Sequence, residues 1–252
     1  MLFAIDIGNT SIKFNIFDKD KQIAFDKADS HLEDYEGLMQ DFFQNNNIDP
    51  SALDDTIIAS VVPNTLKVVL PAIKKITGKE AIIFDYYNYC GIKIDPSVSD
   101  EVGADILVMC AYAYSLCQKE CLIISMGTAT VLAHVDENGV FRHCIIAPGF
   151  NKLAQALWSN AALLPEFDIN KQDNFLANNT IDAMSIGVYD GYIGMLSHLI
   201  EGICSDIAVP LEIYACGGYG RKVVPYIPEL KNYQPDLVSL GLNYLYNRYF
   251  HE

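Results

Sequence analysis

Two periodicities alternate along the chain. From Ser11 to Phe17, the apolar Ile12, Phe14 and Ile16 alternate with the polar Lys13 and Asn15, the two-residue repeat of a half-buried strand. The preceding Leu2–Ile7 is short, apolar and β-rich, and it breaks at Gly8-Asn9-Thr10. The charged Asp18-Lys19-Asp20-Lys21 reads as a hairpin tip, with Gln22 to Asp26 as the returning strand. Helical spacing follows over residues 32–45 and 66–76. A buried strand over 55–62, closed by Pro63-Asn64, lies between them. Residues 81–84 read as another strand, 95–100 as a Pro/Ser loop and 104–116 as a strongly apolar helix.

The opening pattern then returns. Leu122 to Ser125 is apolar and β-like, and Gly127-Thr128-Ala129-Thr130 follows. Val131 to Val135 reads as a strand, Asp136-Glu137-Asn138-Gly139 as a hairpin turn and Val140 to Ile146 as the return. Strand, Gly-containing turn, strand and charged hairpin thus occur twice, with Gly8 and Gly127 separated by 119 positions. A repeat of this length argues for duplicated domains rather than a solenoid. The expected architecture is α/β, with domains at residues 1–117 and 118–252. Beyond the second hairpin the pattern predicts a helical stretch over 150–163 and a polar loop over 165–179. A long helix over 181–205 with Asn179 or Thr180 at its N-cap comes next, then a strand over 211–216 and a final amphipathic helix over 235–250.

Composition narrows the classes. About half of the residues are apolar, enough for substantial cores, and the net charge is −15. Such a surface repels phosphate backbones, which argues against nucleic acid as a partner. The seven cysteines form no CxxC pair and read as reduced, mostly buried thiols of a cytoplasmic protein. The N-terminus has no cationic segment before its apolar run, and the uncharged Cys121–Ala133 is too short to span a bilayer, so no membrane role is expected. His134, His143 and His198 show no metal-ligand spacing.

Four short segments could carry chemistry. Asp6 ends a strand just before Gly8-Asn9-Thr10, a carboxylate and a Gly turn suited to Mg²⁺ and phosphate; the plain alternative is a β-turn. Lys13, on the polar face of the next strand, could reach a phosphate or could simply be solvated. Ser125 to Thr130 repeats the turn, so Gly127, Thr128 and Ala129 form a second candidate phosphate loop. Gly217-Gly218 after a strand leaves backbone for a flat ligand to lie on, or is a simple turn. In Gly103-Ala104-Asp105 the acid falls in the first turn of a helix, where carboxylates are common without any function.

Taken in order and spacing, these segments resemble the type III pantothenate kinases, of the acetate/sugar-kinase and actin-like superfamily. The resemblance runs over essentially the whole chain. It is carried by Asp6-x-Gly8-Asn9-Thr10, Ser60–Pro63, Gly103-Ala104-Asp105, Gly127–Thr130, Ile146–Gly149, Asn179-Thr180 with Ala183 and Gly187, Gly217-Gly218 and Leu237–Leu242. It implies two duplicated ribonuclease-H-like domains with mixed sheets and a cleft between them. It also implies ATP-dependent phosphorylation of pantothenate, at the first step of coenzyme A synthesis, by a homodimer. Under it, Asp6 organises Mg²⁺. Gly8, Asn9, Thr10, Lys13, Gly127, Thr128 and Ala129 cradle phosphates, and Gly217 and Gly218 flank adenosine. Asp105 is the general base; Gly103, Ala104 and Thr180 contact the substrate, Thr180 gripping its carboxylate.

Departures from the family pattern are local. Ile106 stands where the family places an arginine after Gly-x-Asp, and Cys216 where a threonine precedes Gly-Gly. No Tyr-x-Asn-Pro is visible at Pro96 to Asp100. Ser125 stands where a carboxylate helps hold an activating K⁺ or NH₄⁺, so weak or absent monovalent-cation activation is expected. Two other functions stay open: a catalytically weakened nucleotide-binding paralogue acting as partner or regulator, and a kinase of a different small alcohol.

Overall fold

A computed structural model describes residues 1–31, 34–89, 91–98, 102–159 and 164–250. The elements in chain order are β1 (Leu2–Ile7), β2 (Ser11–Asp18), β3 (Lys21–Asp29), α1 (Tyr35–Asn45), β4 (Asp55–Ser60), α2 (Pro63–Thr77), β5 (Ile82–Ile83), α3 (Tyr86–Tyr89), β6 (Lys93–Ile94) and α4 (Ala104–Cys117). They continue as β7 (Cys121–Met126), β8 (Ala129–Val135), β9 (Val140–Pro148), α5 (Phe150–Trp158), α6 (Thr180–Ile207), β10 (Glu212–Cys216), α7 (Gly220–Val223), β11 (Asn232–Tyr233) and α8 (Leu237–Tyr249). The chain divides into two compact units. One comprises Met1–Gln118, Gly139–Phe141 and the segment from Asp236 onward; the other comprises Lys119–Asn138 and Arg142–Pro235.

The first unit is built on a sheet ordered β3-β2-β1-β4-β5. β1 pairs antiparallel with β2 and parallel with β4, and β4 pairs parallel with β5. The inward residues Phe3, Ile5, Ile7, Ile12, Phe14 and Ile16 are fully buried, as their alternation predicts. They pack with Met39, Phe42 and Phe43 of α1 and Val69 and Ile73 of α2. Phe3 anchors this core, its ring 5.1 Å from that of Phe43 and 5.7 Å from that of Phe14. On the other face of the sheet, buried Asn15 donates to Ser239 Oγ of α8 at 2.8 Å. α8 packs against β1, β4 and α4, so this last helix belongs to the first unit.

The second sheet repeats the plan as β9-β8-β7-β10-β11 and carries the short β6 as a sixth strand, parallel to β9 on its outer edge. β7 pairs antiparallel with β8 and parallel with β10, and β10 parallel with β11. The residues of its core include Leu122, Ile124, Leu132, Phe150, Tyr192, Leu196 and Ile200, which join the sheet to α5 and α6. α6 starts at a side-chain cap: Asn179 Oδ1 accepts the Asp182 N–H at 2.9 Å. It ends at Ala208 in the left-handed conformation, φ 58°.

Some boundaries differ from the periodicity, each for a local reason. Pro63 opens α2 at its first position rather than merely closing the strand before it. That strand stops at Ser60, whose hydroxyl accepts the Val62 N–H at 3.1 Å and turns the chain. The β3 strand runs on to Asp29, because its pairing with β2 continues to Ser11. The strand expected over 81–84 shortens to Ile82–Ile83, and α3 and β6 carry no pattern long enough to read. The expected starts and ends at Leu32, Asp100 and Leu163 lie outside the described residues, as does Cys90. The described cysteines are reduced, none of them joined in a disulfide.

Candidate active site

In the first unit, register and burial bring three charged side chains together. β1 and β2 are antiparallel with Asp6 opposite Lys13, so both side chains emerge on one face. Lys13 Nζ stands 2.9 Å from Asp6 Oδ2, and the Asp6 side chain is 9% exposed against 22% for Lys13. Between these residues the chain turns at Gly8, whose N–H donates to Ser11 O at 3.0 Å. That N–H closes the hairpin, which leaves exposed Asn9 and Thr10 at its tip.

Asp105 completes the group from the first turn of α4. Its Oδ1 accepts the Ile106 N–H at 2.9 Å. Burial pushes its carboxyl above the ordinary value, and the negative charge of Asp6 adds to that; the Ile106 N–H and the Lys13 ammonium oppose it. Gly103 makes room for this carboxylate. A Cβ there would stand 2.6 Å from Asp105 Oδ1 and 3.3 Å from Val61 Cγ1. Ala104 is half-buried beside it, whereas Ile106 turns into the interior of the unit at 9% exposure.

The second unit carries the related loop. Gly127 N–H donates to Ala129 O at 3.1 Å, a hairpin one residue tighter than that at Gly8. Thr128 is exposed and Ala129 half-buried at the turn. Thr130 beneath it is fully buried, donating to Pro148 O at 3.1 Å and lying 2.7 Å from the Tyr192 hydroxyl of α6. Half-buried Ser125 has Val131 and Cys216 as its partners on the adjacent strands. The ionic pair Asp6–Lys13 of the first repeat is therefore the neutral pair Ser125–Val131 in the second.

Two glycines hold this loop in place. Gly217 has φ +94°, and a Cβ on it would lie 2.4 Å from Met126 O, so glycine is required there. Gly218 is different: a Cβ would meet nothing within 4 Å, which leaves an open backbone surface. The second glycine is Gly149, where a Cβ would strike Gly127 O at 2.3 Å and Thr128 O at 2.5 Å. It lets the start of α5 press against the turn. The Ile146–Gly149 segment was visible in the sequence without a role, and its signal is a Pro-Gly pair at a strand-to-helix junction.

Tyr219 follows Gly218 and stacks on Phe150 at 5.6 Å between ring centroids. Phe150 also lines a cavity of about 280 Å³ with Trp158, Phe167, Asp168 and Lys222. No periodicity or motif pointed to it, because its walls come from separate segments. Thr180 is exposed at the first position of α6. Among the described residues, no three His, Cys, Asp or Glu side chains are placed to hold a metal together.

The model of the type III pantothenate kinases matches residues 2–202. The chain belongs to the type III pantothenate kinase family. A type III pantothenate kinase of Agathobacter rectalis is 33% identical over 98% of this chain and 97% of its own length. One from Dehalococcoides mccartyi is 31% identical over 97% and 96%. Solved structures show the same fold at much lower identity. Component A of (R)-2-hydroxyglutaryl-CoA dehydratase from Acidaminococcus fermentans superposes with a TM-score of 0.57 at 12% identity over 98% of both chains. The activator of 2-hydroxyisocaproyl-CoA dehydratase from Clostridium difficile gives 0.56 at 11%, over 98% of this chain and 94% of its own. The architecture is thus the actin-like ATPase and sugar-kinase type, with two mixed sheets. In this family member, the Gly-x-Asp motif is the one whose glycine clears space for a half-buried carboxylate.

Proposed function

We propose that this protein transfers the γ-phosphoryl group of ATP to the primary hydroxyl of pantothenate, yielding 4'-phosphopantothenate and ADP at the entry to coenzyme A synthesis. The observation that carries this reading is the group Asp6, Lys13 and Asp105, assembled from three elements and cleared by Gly103. Phosphoryl transfer asks a protein mainly to position its reactants and to offset charge.

Asp105 acts as the general base. As the substrate oxygen bonds to phosphorus and the bond to the ADP oxygen breaks, the hydroxyl proton passes to the Asp105 carboxylate. Its upward shift makes it a stronger acceptor than an exposed aspartate. Asp6 is the Mg²⁺ residue. A single buried carboxylate fits an ion that commonly keeps several waters and takes its remaining ligands from phosphates. When bound, Mg²⁺ would offset the charge of the phosphates. The turn Gly8–Thr10, with Lys13, holds phosphate in the first unit, and Gly127–Ala129 is the corresponding phosphate turn of the second. Adenosine lies over the open backbone of Gly218, next to Tyr219 and the cavity that Phe150 lines.

Thr180 at the start of α6 contacts the substrate carboxylate from a second copy of the chain. An open, small-residue face of α6 supports this homodimer: Cβ atoms on Gly187, Gly191 and Gly194 would meet nothing within 4 Å. The duplicated sequence segments are 1–117 and 118–252, the last helix of the second segment packing with the first unit; the protein acts in the cytoplasm, with little or no dependence on K⁺ or NH₄⁺. No described helix is long and apolar enough to cross a membrane. Ile106 favours one alternative, a different small alcohol as substrate, since a buried isoleucine offers a substrate carboxylate no charge.

The test is a coupled ADP-release assay with pantothenate, with the product identified by mass. Release of ADP with formation of a phosphorylated pantothenate supports the reading. ATP binding without product from pantothenate, but with product from another alcohol, replaces it with the alternative.

A further inference from the structure

The ion pair between Lys13 and Asp6 poses a question that the kinase reading leaves open, since that reading uses each residue for something else. Lys13 is to hold a phosphate and Asp6 is to hold a metal, yet here they hold each other at 2.9 Å. The pairing follows from register, because the two residues face each other directly across β1 and β2. The carboxylate is the more buried partner, at 9% exposure, and a buried carboxylate without a compensating cation is costly. Asp105 adds a second negative charge that acts on the same neighbourhood. One ammonium therefore serves two carboxylates, and a metal-free triphosphate would meet a net negative site.

We infer that Lys13 changes partner: it balances Asp6 before nucleotide binds, and it passes to a phosphate only when a divalent cation takes over the carboxylate. This rests on the kinase reading and adds a consequence to it. Mg²⁺ strengthens nucleotide binding through Lys13 as well as through its own contacts. The head of Lys13 is at the partly exposed end of the pair, which lets it swing without unburying Asp6. An ammonium carries one charge and a divalent cation two, so the exchange favours the metal at the carboxylate. It also leaves the lysine free to make a charge-assisted hydrogen bond to phosphate.

The experiment measures ATP affinity by calorimetry, in EDTA and in MgCl₂, for the natural chain, Lys13→Met, Asp6→Asn and the double variant. Lys13→Met should weaken ATP about tenfold in MgCl₂, the usual effect of losing a charged hydrogen bond, and less than about threefold in EDTA. Asp6→Asn should bind metal-free ATP about tenfold more tightly than the natural chain, and that gain should vanish in the double variant. An equal loss for Lys13→Met in both buffers overturns the exchange, as does a gain for Asp6→Asn that persists without Lys13. Lys13→Met alone decides the matter if Asp6→Asn does not fold. A natural chain that binds no ATP even in MgCl₂ removes the kinase reading itself, a separate outcome from either.

Discussion

A Cβ on Gly103 would stand 2.6 Å from Oδ1 of Asp105, so the residue two positions before the carboxylate is what allows the carboxylate to sit where it does. The same carboxylate is half-buried and lies within the field of Asp6. Such a placement costs folding free energy and is the reason to assign Asp105 a chemical role rather than a helix-capping one.

Asp105→Asn keeps the shape and removes the proton acceptor. Turnover should fall about 10²–10⁴-fold with ATP affinity nearly unchanged, measured by steady-state kinetics and nucleotide titration. In the natural enzyme kcat/KM for pantothenate should rise with pH along a limb above the ordinary aspartate range, since the base works only when ionised. An Asp105→Asn enzyme at near-normal rate would leave the carboxylate a helix-start residue.

The same substitution should stabilise the fold at neutral pH. The folded-state value of Asp105 lies above its unfolded value, so between the two values the folded chain holds a proton that the unfolded chain has released, and above both the ionised carboxylate carries the cost of its placement. Stability from this group is present below about pH 4 and is lost as pH rises through the folded-state value. Asp105→Asn should therefore melt higher than the natural chain at pH 7, and the difference should close in acid. Thermal melts across pH check the sign.

Gly217 and Gly218 should separate cleanly. Gly217→Ala places a Cβ 2.4 Å from Met126 O at φ +94°, and should cost at least about 1–3 kcal/mol in denaturant unfolding. Gly218→Ala meets open space and should leave stability within about 0.5 kcal/mol, while raising the KM for ATP. Trp158, the single tryptophan, lines the nearby cavity, and its emission should change on adding ATP but not inorganic tripolyphosphate.

Ser125 sits between Val131 and Cys216 on neighbouring strands, with no charged partner from either. A neutral oxygen offsets less of the dehydration of a cation than a carboxylate does. Activity of the natural chain should stay within about twofold from zero to saturating K⁺, and Ser125→Asp should introduce a K⁺ dependence. A natural enzyme that strictly requires K⁺ refutes this.

Gly191 on the open face of α6 tests the assembly. Gly191→Glu should turn a dimer into a monomer by sedimentation analysis and raise the KM for pantothenate. A natural chain that sediments as a monomer at micromolar concentration would instead show that Thr180 works within its own subunit.

Much of the fold was legible along the chain. Ile12, Phe14 and Ile16 announced β2, and the 119-residue return of the Gly turn announced a second strand–turn–strand unit like the first. Asn179 announced the start of α6. These signals are local: alternation, capping and turn chemistry act over a few residues, and a duplicated pattern repeats them. Asp6 and Lys13 could be named one by one for the same reason, whereas Asp105 was singled out only by the family resemblance.

Tertiary structure decided what depends on distance in space. It assigned α8 to the first unit through Asn15 and Ser239, residues 224 positions apart. It paired Lys13 with Asp6 and brought Asp105 under the influence of both. It also showed that Gly217 and Gly149 are forced by backbone oxygens of the β7–β8 turn, while Gly218 is left open. The sequence by itself could not rank these glycines or charges, because the collision or the field that gives each its meaning comes from a segment far away along the chain.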